Sequence, residues 1–212
     1  MDLMDRAAGS VRLGVFGGSF DPLHVGHLAV AQDVLEALDL DRVLFVPARR
    51  SPHKSEAPHA SGEHRLRMVR DATRGDPRFE VSGMELRREE PSFTVDTLRE
   101  LAKERPGARL FLILGADQWA GFGRWHQPRE ITRLAELVVM SREGDRPTAV
   151  DPGLENGDDG SLRAREVSVV RLDVSSTHLR RRIFEGRTVR YLVPDPVRRI
   201  IERENLYSQK SP

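Results

Sequence analysis

The chain has 212 residues, a formal net charge of +1, 38% hydrophobic and 32% charged residues, and no cysteine. Such a composition suits one α/β domain with enough apolar side chain for a core. It excludes disulfides and thiolate metal sites, a broadly basic nucleic-acid surface and, lacking any apolar run of about 18 residues, a membrane-spanning helix. The first ten residues, MDLMDRAAGS, are polar and mixed in charge, unlike an export signal, so a cytoplasmic protein is expected.

Residues 11–16, VRLGVF, read as a short buried strand followed by Gly17-Gly18. Leu28, Ala31, Leu35 and Leu38 then recur at helical spacing over 25–38. RVLFVPA (42–48) is a second apolar strand, and RRSPHKSEAPHA (49–60) is a loop with two prolines. A helix is expected from Ser61 to Gly75, then strand material at 79–83 and again at MELRR (84–88). A helix follows over 94–105. RLFLILG (109–115) is the clearest strand, apolar throughout as a strand covered on both faces must be. PREITRLAE (128–136) opens on a proline suited to a first helical position, and LVVMS (137–141) is a further strand. Residues 143–165 form a polar loop or insertion, and 167–174 a late strand. THLRRRIFEG reads as a helix capped at Gly186, and DPVRRIIERENLY as a terminal amphipathic helix.

Repeated strand–helix alternation with continuous apolar strands predicts a Rossmann-like, doubly wound, mostly parallel sheet with helices on both faces. The expected organisation is one domain over 1–212, an α/β core at 11–174 and a C-terminal helical part at 175–207. In such sheets ligands bind beyond the carboxyl ends of the strands, where strand order reverses.

The loop in that position reads GGSFDPLHVGH, Gly17 to His27. It lacks the glycines of a dinucleotide fingerprint and the lysine of a Walker A loop. Two glycines before a helix start still offer backbone amides and a positive dipole end to a phosphate. His24 and His27 lie three apart at that start, so both imidazoles face one side. That pairing suits a phosphoryl centre gaining charge. The alternative for an isolated pair is a capping His24 and a half-buried His27; zinc is disfavoured without a third ligand. Lysine is rare among the 34 basic residues, and Lys54 is placed in a loop where a compact ammonium could meet an anion.

The segment GGSFDPLHVGH resembles the H-x-G-H signature of adenylyl- and cytidylyltransferases, and VSSTHLR (174–180) is similar to their I-S-S-T-x-I-R signature. Those two alone leave phosphopantetheine adenylyltransferases and cytidylyltransferases open. VPARRSPHK (46–54), PSFTVDTL (91–98), GADQWAGFGRW (115–125) and LVPDPV (192–197) resemble segments of the nicotinate-mononucleotide adenylyltransferases, in order over about residues 12–207. This resemblance implies that Gly17, Gly18, Ser19 and Phe20 hold ATP by backbone contacts, with His24 and His27 on its phosphates. It implies that Asp117 meets the adenosine ribose, and that Ser176, Thr177 and Arg180 bind the β- and γ-phosphates. Lys54 and Arg142 would meet the phosphate of nicotinate mononucleotide, Trp125 would stack on its ring, and Thr94 with the backbone at His126 would receive its carboxylate. His24, His27, Lys54 and Arg180 would form the catalytic set, with Mg²⁺ entering on the ATP phosphates and not held by the protein.

Each role has a plainer alternative: Trp125 as a core anchor, Asp117 and Thr94 as helix caps, Lys54 as surface charge. Phe93 and His126 stand where the family has tyrosine. A nucleotide-sensing module is the non-enzyme alternative; it would be expected to have lost His24, His27 or Arg180, and all three are present. Partners implied are the two small-molecule substrates, without nucleic acid or membrane, and a homo-oligomer is left open.

Overall fold

Strand β1 (Arg12–Gly18) sits inside a six-stranded sheet, between β2 (Arg42–Pro47) and β4 (Arg109–Gly115). Beyond β2 lies β3 (Phe79–Val81); beyond β4 lie β5 (Glu136–Arg142) and β6 (Ala164–Val169), giving the order β3-β2-β1-β4-β5-β6. Every pairing is parallel, with Val15 opposite Leu44 on one side and Leu112 on the other. The computed structural model describes residues 10–50, 59–89, 92–142 and 164–209. The N-terminal nine residues, most of the expected loops at 49–60 and 143–165, and Lys54 lie outside them.

The side-chain period of two explains why these strands look uniformly apolar. Phe16, Val43, Phe45, Phe111, Ile113 and Val138 face one core, which is closed by α1 (Val25–Ala37), α2 (Gly62–Thr73), α7 (Ser176–Phe184) and α8 (Asp195–Arg203). Leu13, Val15, Leu44, Val46, Leu112 and Val139 face the other, closed chiefly by α4 (Thr94–Glu104), α5 (Ala116–Ala120) and α6 (Pro128–Leu134). Gly14 is required by crowding: a Cβ there would lie 2.9 Å from Leu40 Cδ1 and 3.1 Å from Ile113 Cδ1.

The amino ends of the strands are finished with ions. Glu80 pairs with Arg42 and Arg105, and Glu136 with Arg109 at 2.7 Å and Arg165 at 3.0 Å. The carboxyl ends carry the glycine, histidine and threonine loops instead.

Three expected elements differ. MELRR is a single helical turn, α3 (Met84–Arg87), and not strand. The ladder stops when Ser82 N–H donates to Phe45 O, and Met84 and Glu85 are both buried, which adjacent strand residues on opposite faces could not achieve against one wall. The late strand begins three residues earlier, at Ala164, and ends at Val169. Val170 N–H leaves the sheet to donate to Asp33 Oδ2 at 2.7 Å. The terminal helix also stops early, at Arg203, and the chain turns through left-handed Asn205 and Tyr207.

Phe111 is fully buried with the Arg12 guanidinium 4.8 Å above its ring. Phe111→Ala is expected to remove about 3–5 kcal/mol of stability. Urea unfolding reads this as a lower midpoint at constant slope; an unchanged midpoint contradicts the assignment of Phe111 to the core.

Candidate active site

Strand order reverses beside β1, and its carboxyl end delivers Gly17 and Gly18 opposite Val46 and Pro47. Ala48 N–H donates to Gly18 O at 2.8 Å, zipping the first two loops together. A Cβ on Gly17 would meet nothing within 4 Å, so this glycine opens on the cleft and a ligand can reach its backbone. A Cβ on Gly18 would touch the Phe20 ring at 3.0 Å. That ring folds back from a left-handed backbone (φ 47) into the core, against Phe16, Phe45 and His27. Phe20 therefore offers a ligand only its main chain.

Asp21 follows, with its carboxylate enclosed. Oδ1 accepts from Tyr207 Oη–H at 2.7 Å and Ala60 N–H at 3.0 Å, and Oδ2 accepts from His59 N–H at 2.8 Å. The late helix α7 docks on the same turn: Ser176 Oγ donates to Pro22 O at 3.0 Å and Arg180 Nη1 to Asp21 O at 2.8 Å. Arg180 Nη2 also reaches Thr177 Oγ1 at 3.2 Å. Arg65, fully buried, donates to Ser19 O at 2.8 Å, Ala48 O at 2.7 Å and Ala60 O at 3.2 Å, and so holds three loop segments with one planar fork. Burial lowers the affinity of this guanidinium for its proton, and the charge of Asp21 opposes that.

His24 occupies the N-cap of α1 and His27 its third residue. Their rings stack with centroids 3.6 Å apart. His24 N–H donates to His27 Nδ1 at 3.2 Å, which places the proton of neutral His27 on Nε2. His24 Nδ1 is buried without a hydrogen-bond partner and lies against the bare Gly26, where a Cβ would come within 3.1 Å of it. Desolvation lowers the His24 pKa to about 4. At neutral pH His24 is uncharged, so the stack avoids two adjacent cations.

Beside Gly17–Ser19 a cleft opens between β1, β2 and the loops beyond β4. Thr94, Trp125 and His126 all line it, together with Glu85, Ser92 and Gln118. Trp125 packs on Phe122 at 5.4 Å, and His126 stacks on Phe93 at 4.2 Å. The two departures from the tyrosine pattern thus meet each other as one ring pair. Thr94 is the first residue of α4 and not its cap, which is Phe93. Glu85 accepts from Thr97 Oγ1 at 2.6 Å, and burial raises its pKa.

The predicted residues therefore fall into two groups. Ser176, Thr177 and Arg180 gather at the Asp21–Pro22 turn that leads to His24 and His27; Thr94, Trp125 and His126 line the cleft with Gly17, Gly18 and Ser19. Asp117 belongs to neither wall: it is exposed in the first turn of α5, where a Cβ on Gly115 would lie 2.7 Å from its Oδ1. Lys54 and the side chain of Arg142 lie outside the described residues, although the Arg142 backbone closes β5 opposite Val169. Sequence reasoning passed over Asp21, Arg65, Glu85 and Tyr207. The one available signal was polar residues inside or beside apolar segments. Among the described residues, no three His, Asp or Glu side chains are grouped to hold a metal ion.

Residues 15–182 match the cytidylyltransferase-like family. A probable nicotinate-nucleotide adenylyltransferase of Roseiflexus castenholzii is 46% identical over 200 residues, covering 93% of this chain and 98% of that one. One from Thermus thermophilus is 44% identical over 201 residues, covering 93% and 100%, and one from Rhodopirellula baltica 39% over 198, covering 92% of each. Among solved structures, the nicotinic acid mononucleotide adenylyltransferase of Plasmodium falciparum complexed with NaAD superposes with a TM-score of 0.72 at 16% identity, covering 93% and 97%, which establishes a common fold.

Two outcomes follow. Gly26→Ala would set a methyl 3.1 Å from His24 Nδ1 and 2.9 Å from Val174 Cγ1. Turnover is expected to fall about tenfold or more as the ring is displaced, with little change in melting temperature; full activity contradicts the assigned packing. Second, because folding favours neutral His24, its contribution to stability is complete above the ordinary value near 6.5 and is lost as pH falls toward about 4. Urea midpoints of wild type and His24→Gln should differ in acid sensitivity over that window by about 3 kcal/mol; parallel profiles contradict it.

Proposed function

The chain belongs to the nicotinate-nucleotide adenylyltransferases within the cytidylyltransferase-like family, and on that premise we propose that it transfers the adenylyl group of ATP to nicotinate mononucleotide, giving nicotinate adenine dinucleotide and pyrophosphate in the cytoplasm. This is a step of NAD biosynthesis. The observation that carries the reading is the docking of Arg180 and Ser176 on the very turn that presents His24 and His27. Four cationic or neutral donors then converge from positions some 150 residues apart in the chain.

In the proposed reaction an oxygen of the mononucleotide phosphate attacks the α-phosphorus of ATP in line. The new P–O bond forms as the bond to the bridging α–β oxygen breaks, and pyrophosphate departs with its Mg²⁺, which enters as part of the ATP substrate. The nucleophile is already an anion, so no side chain need remove a proton; the protein positions the groups and stabilises charge. His27 Nε2–H and His24 Nε2–H donate to the phosphates as neutral imidazoles, and the Arg180 fork with Ser176 and Thr177 holds the leaving portion. Gly17, Gly18, Ser19 and the Phe20 main chain receive the nucleotide, and Asp117 in the first turn of α5 meets the ribose.

The acceptor occupies the cleft. Its ring lies on Trp125, and its carboxylate faces the amino end of α4 at Thr94 and the backbone at His126. Free amides and the positive dipole end of an 11-residue helix favour a carboxylate over a carboxamide there. Glu85 in the same wall is held toward its protonated form by burial, which weakens the negative potential that carboxylate would meet. Lys54 and Arg142 meet the acceptor phosphate.

The test is pyrophosphate release from magnesium–ATP with nicotinate mononucleotide, nicotinamide mononucleotide or phosphopantetheine as acceptor. Release with the first and much less with the others is expected; none with the first overturns the assignment. In that assay His27→Ala should lower kcat by about 10²–10³ without unfolding the chain, and near-normal turnover would count against the role given to His27.

A further inference from the structure

Asp21 takes no part in the chemistry above, yet it is among the most enclosed charged groups in the described chain, 2% exposed. A carboxylate leaves water only when its lone pairs are met. Here one donor comes from the far end of the chain: Tyr207 Oη–H, 186 positions away, at 2.7 Å. Tyr207 reaches it from a left-handed backbone conformation (φ 64), which a non-glycine residue adopts at a cost. Leu206 N–H, donating to Ile201 O at 3.0 Å, seats the turn that aims the ring inward. The phenol is buried beside Asp21, and both effects push its pKa far above the ordinary value, so it remains a donor at any working pH.

Besides the amides of His59 and Ala60, Asp21 meets Arg180 twice. Its carbonyl accepts from Arg180 Nη1, and its carboxylate lies 3.9 Å from the same nitrogen. Arg65, the buried counter-charge of the cluster, grips Ser19. The residue after Pro22 and Leu23 is His24. The hydroxyl at 207 is thus one hydrogen bond from the residue that Arg180 grips and that opens the histidine turn, while neither Asp21 nor Tyr207 lines the acceptor cleft.

We propose that Tyr207 is a positioning residue for the nucleotide phosphates: acting through Asp21, it sets the turn that carries His24 and His27 and the purchase of Arg180, so that filling the phosphate site and ordering the C-terminal end are coupled. The inference rests on the adenylyl-transfer reading, because it assigns those three side chains to ATP. Coupling is reciprocal: if Tyr207 favours phosphate binding, bound phosphate must favour the docked C-terminus.

Wild-type pyrophosphate release with magnesium–ATP and nicotinate mononucleotide is measured first, since its absence would fault the functional reading and not this inference. Tyr207→Phe in the full chain keeps the ring and removes only the hydroxyl. The expected result is a rise of about three- to tenfold in KM for ATP, with KM for the mononucleotide held within about twofold. A purely structural tyrosine would lower the melting temperature and leave both constants of the folded enzyme alone; unchanged constants, or equal rises for both substrates, overturn the proposal. Should the variant fail to fold, hydrogen exchange on the wild type decides: inorganic tripolyphosphate should slow exchange at residues 204–209, and unchanged exchange there overturns it.

Discussion

A buried carboxylate organises this molecule's working edge. Asp21 is satisfied by main-chain amides from the start of the α2 segment, by a phenol from the C-terminus and by proximity to two arginines. Removing any of these donors leaves a desolvated charge, and the cost of that is much larger than the net worth of one hydrogen bond. The turn is therefore held from several directions, and the two histidines that follow it inherit their positions. Neither His24 nor His27 is placed by its own local sequence alone: His24 needs Gly26 bare beneath it and Val174 behind it, and His27 needs the Phe20 ring.

The sheet divides its labour by end. Parallel strands require their connections to return over the faces, which buries both faces and leaves polar groups room only at the strand termini. At the amino termini Glu80 and Glu136 each bridge two arginines. At the carboxyl termini Gly17 and the amino ends of α1, α4 and α7 are brought around the point where strand order reverses. Helix amino ends gather there because each crossover helix begins near the end of the strand it follows.

Much of this was readable before any coordinates. Continuous apolar runs such as 109–115 are what strands covered twice require, and Gly17, His24, His27 and Arg180 belong to the two segments that resemble nucleotidyltransferase signatures. Thr94, Trp125 and His126, singled out in the sequence on either side of the strongest strand, all line one cleft. What escaped notice depends on distant contacts. Met84–Arg87 looks like strand because Met, Leu and alternating charge fit an edge; only the partner Thr97, on another helix, explains a buried Glu85. Ala164 and Arg165 read as the end of a polar loop because their pairing with β5 is made by the backbone. Asp21, Arg65 and Tyr207 are unremarkable singly and acquire meaning only as a cluster drawn from both ends of the chain.

The account stands on three side chains sharing one anion. A crystal structure with a non-hydrolysable ATP analogue and magnesium measures this directly. The prediction is that Nε2 of His24, Nε2 of His27 and the Arg180 guanidinium each lie within about 3.2 Å of oxygens of one triphosphate. A triphosphate bound elsewhere, or one touched by Arg180 while both imidazoles remain unengaged, would contradict it.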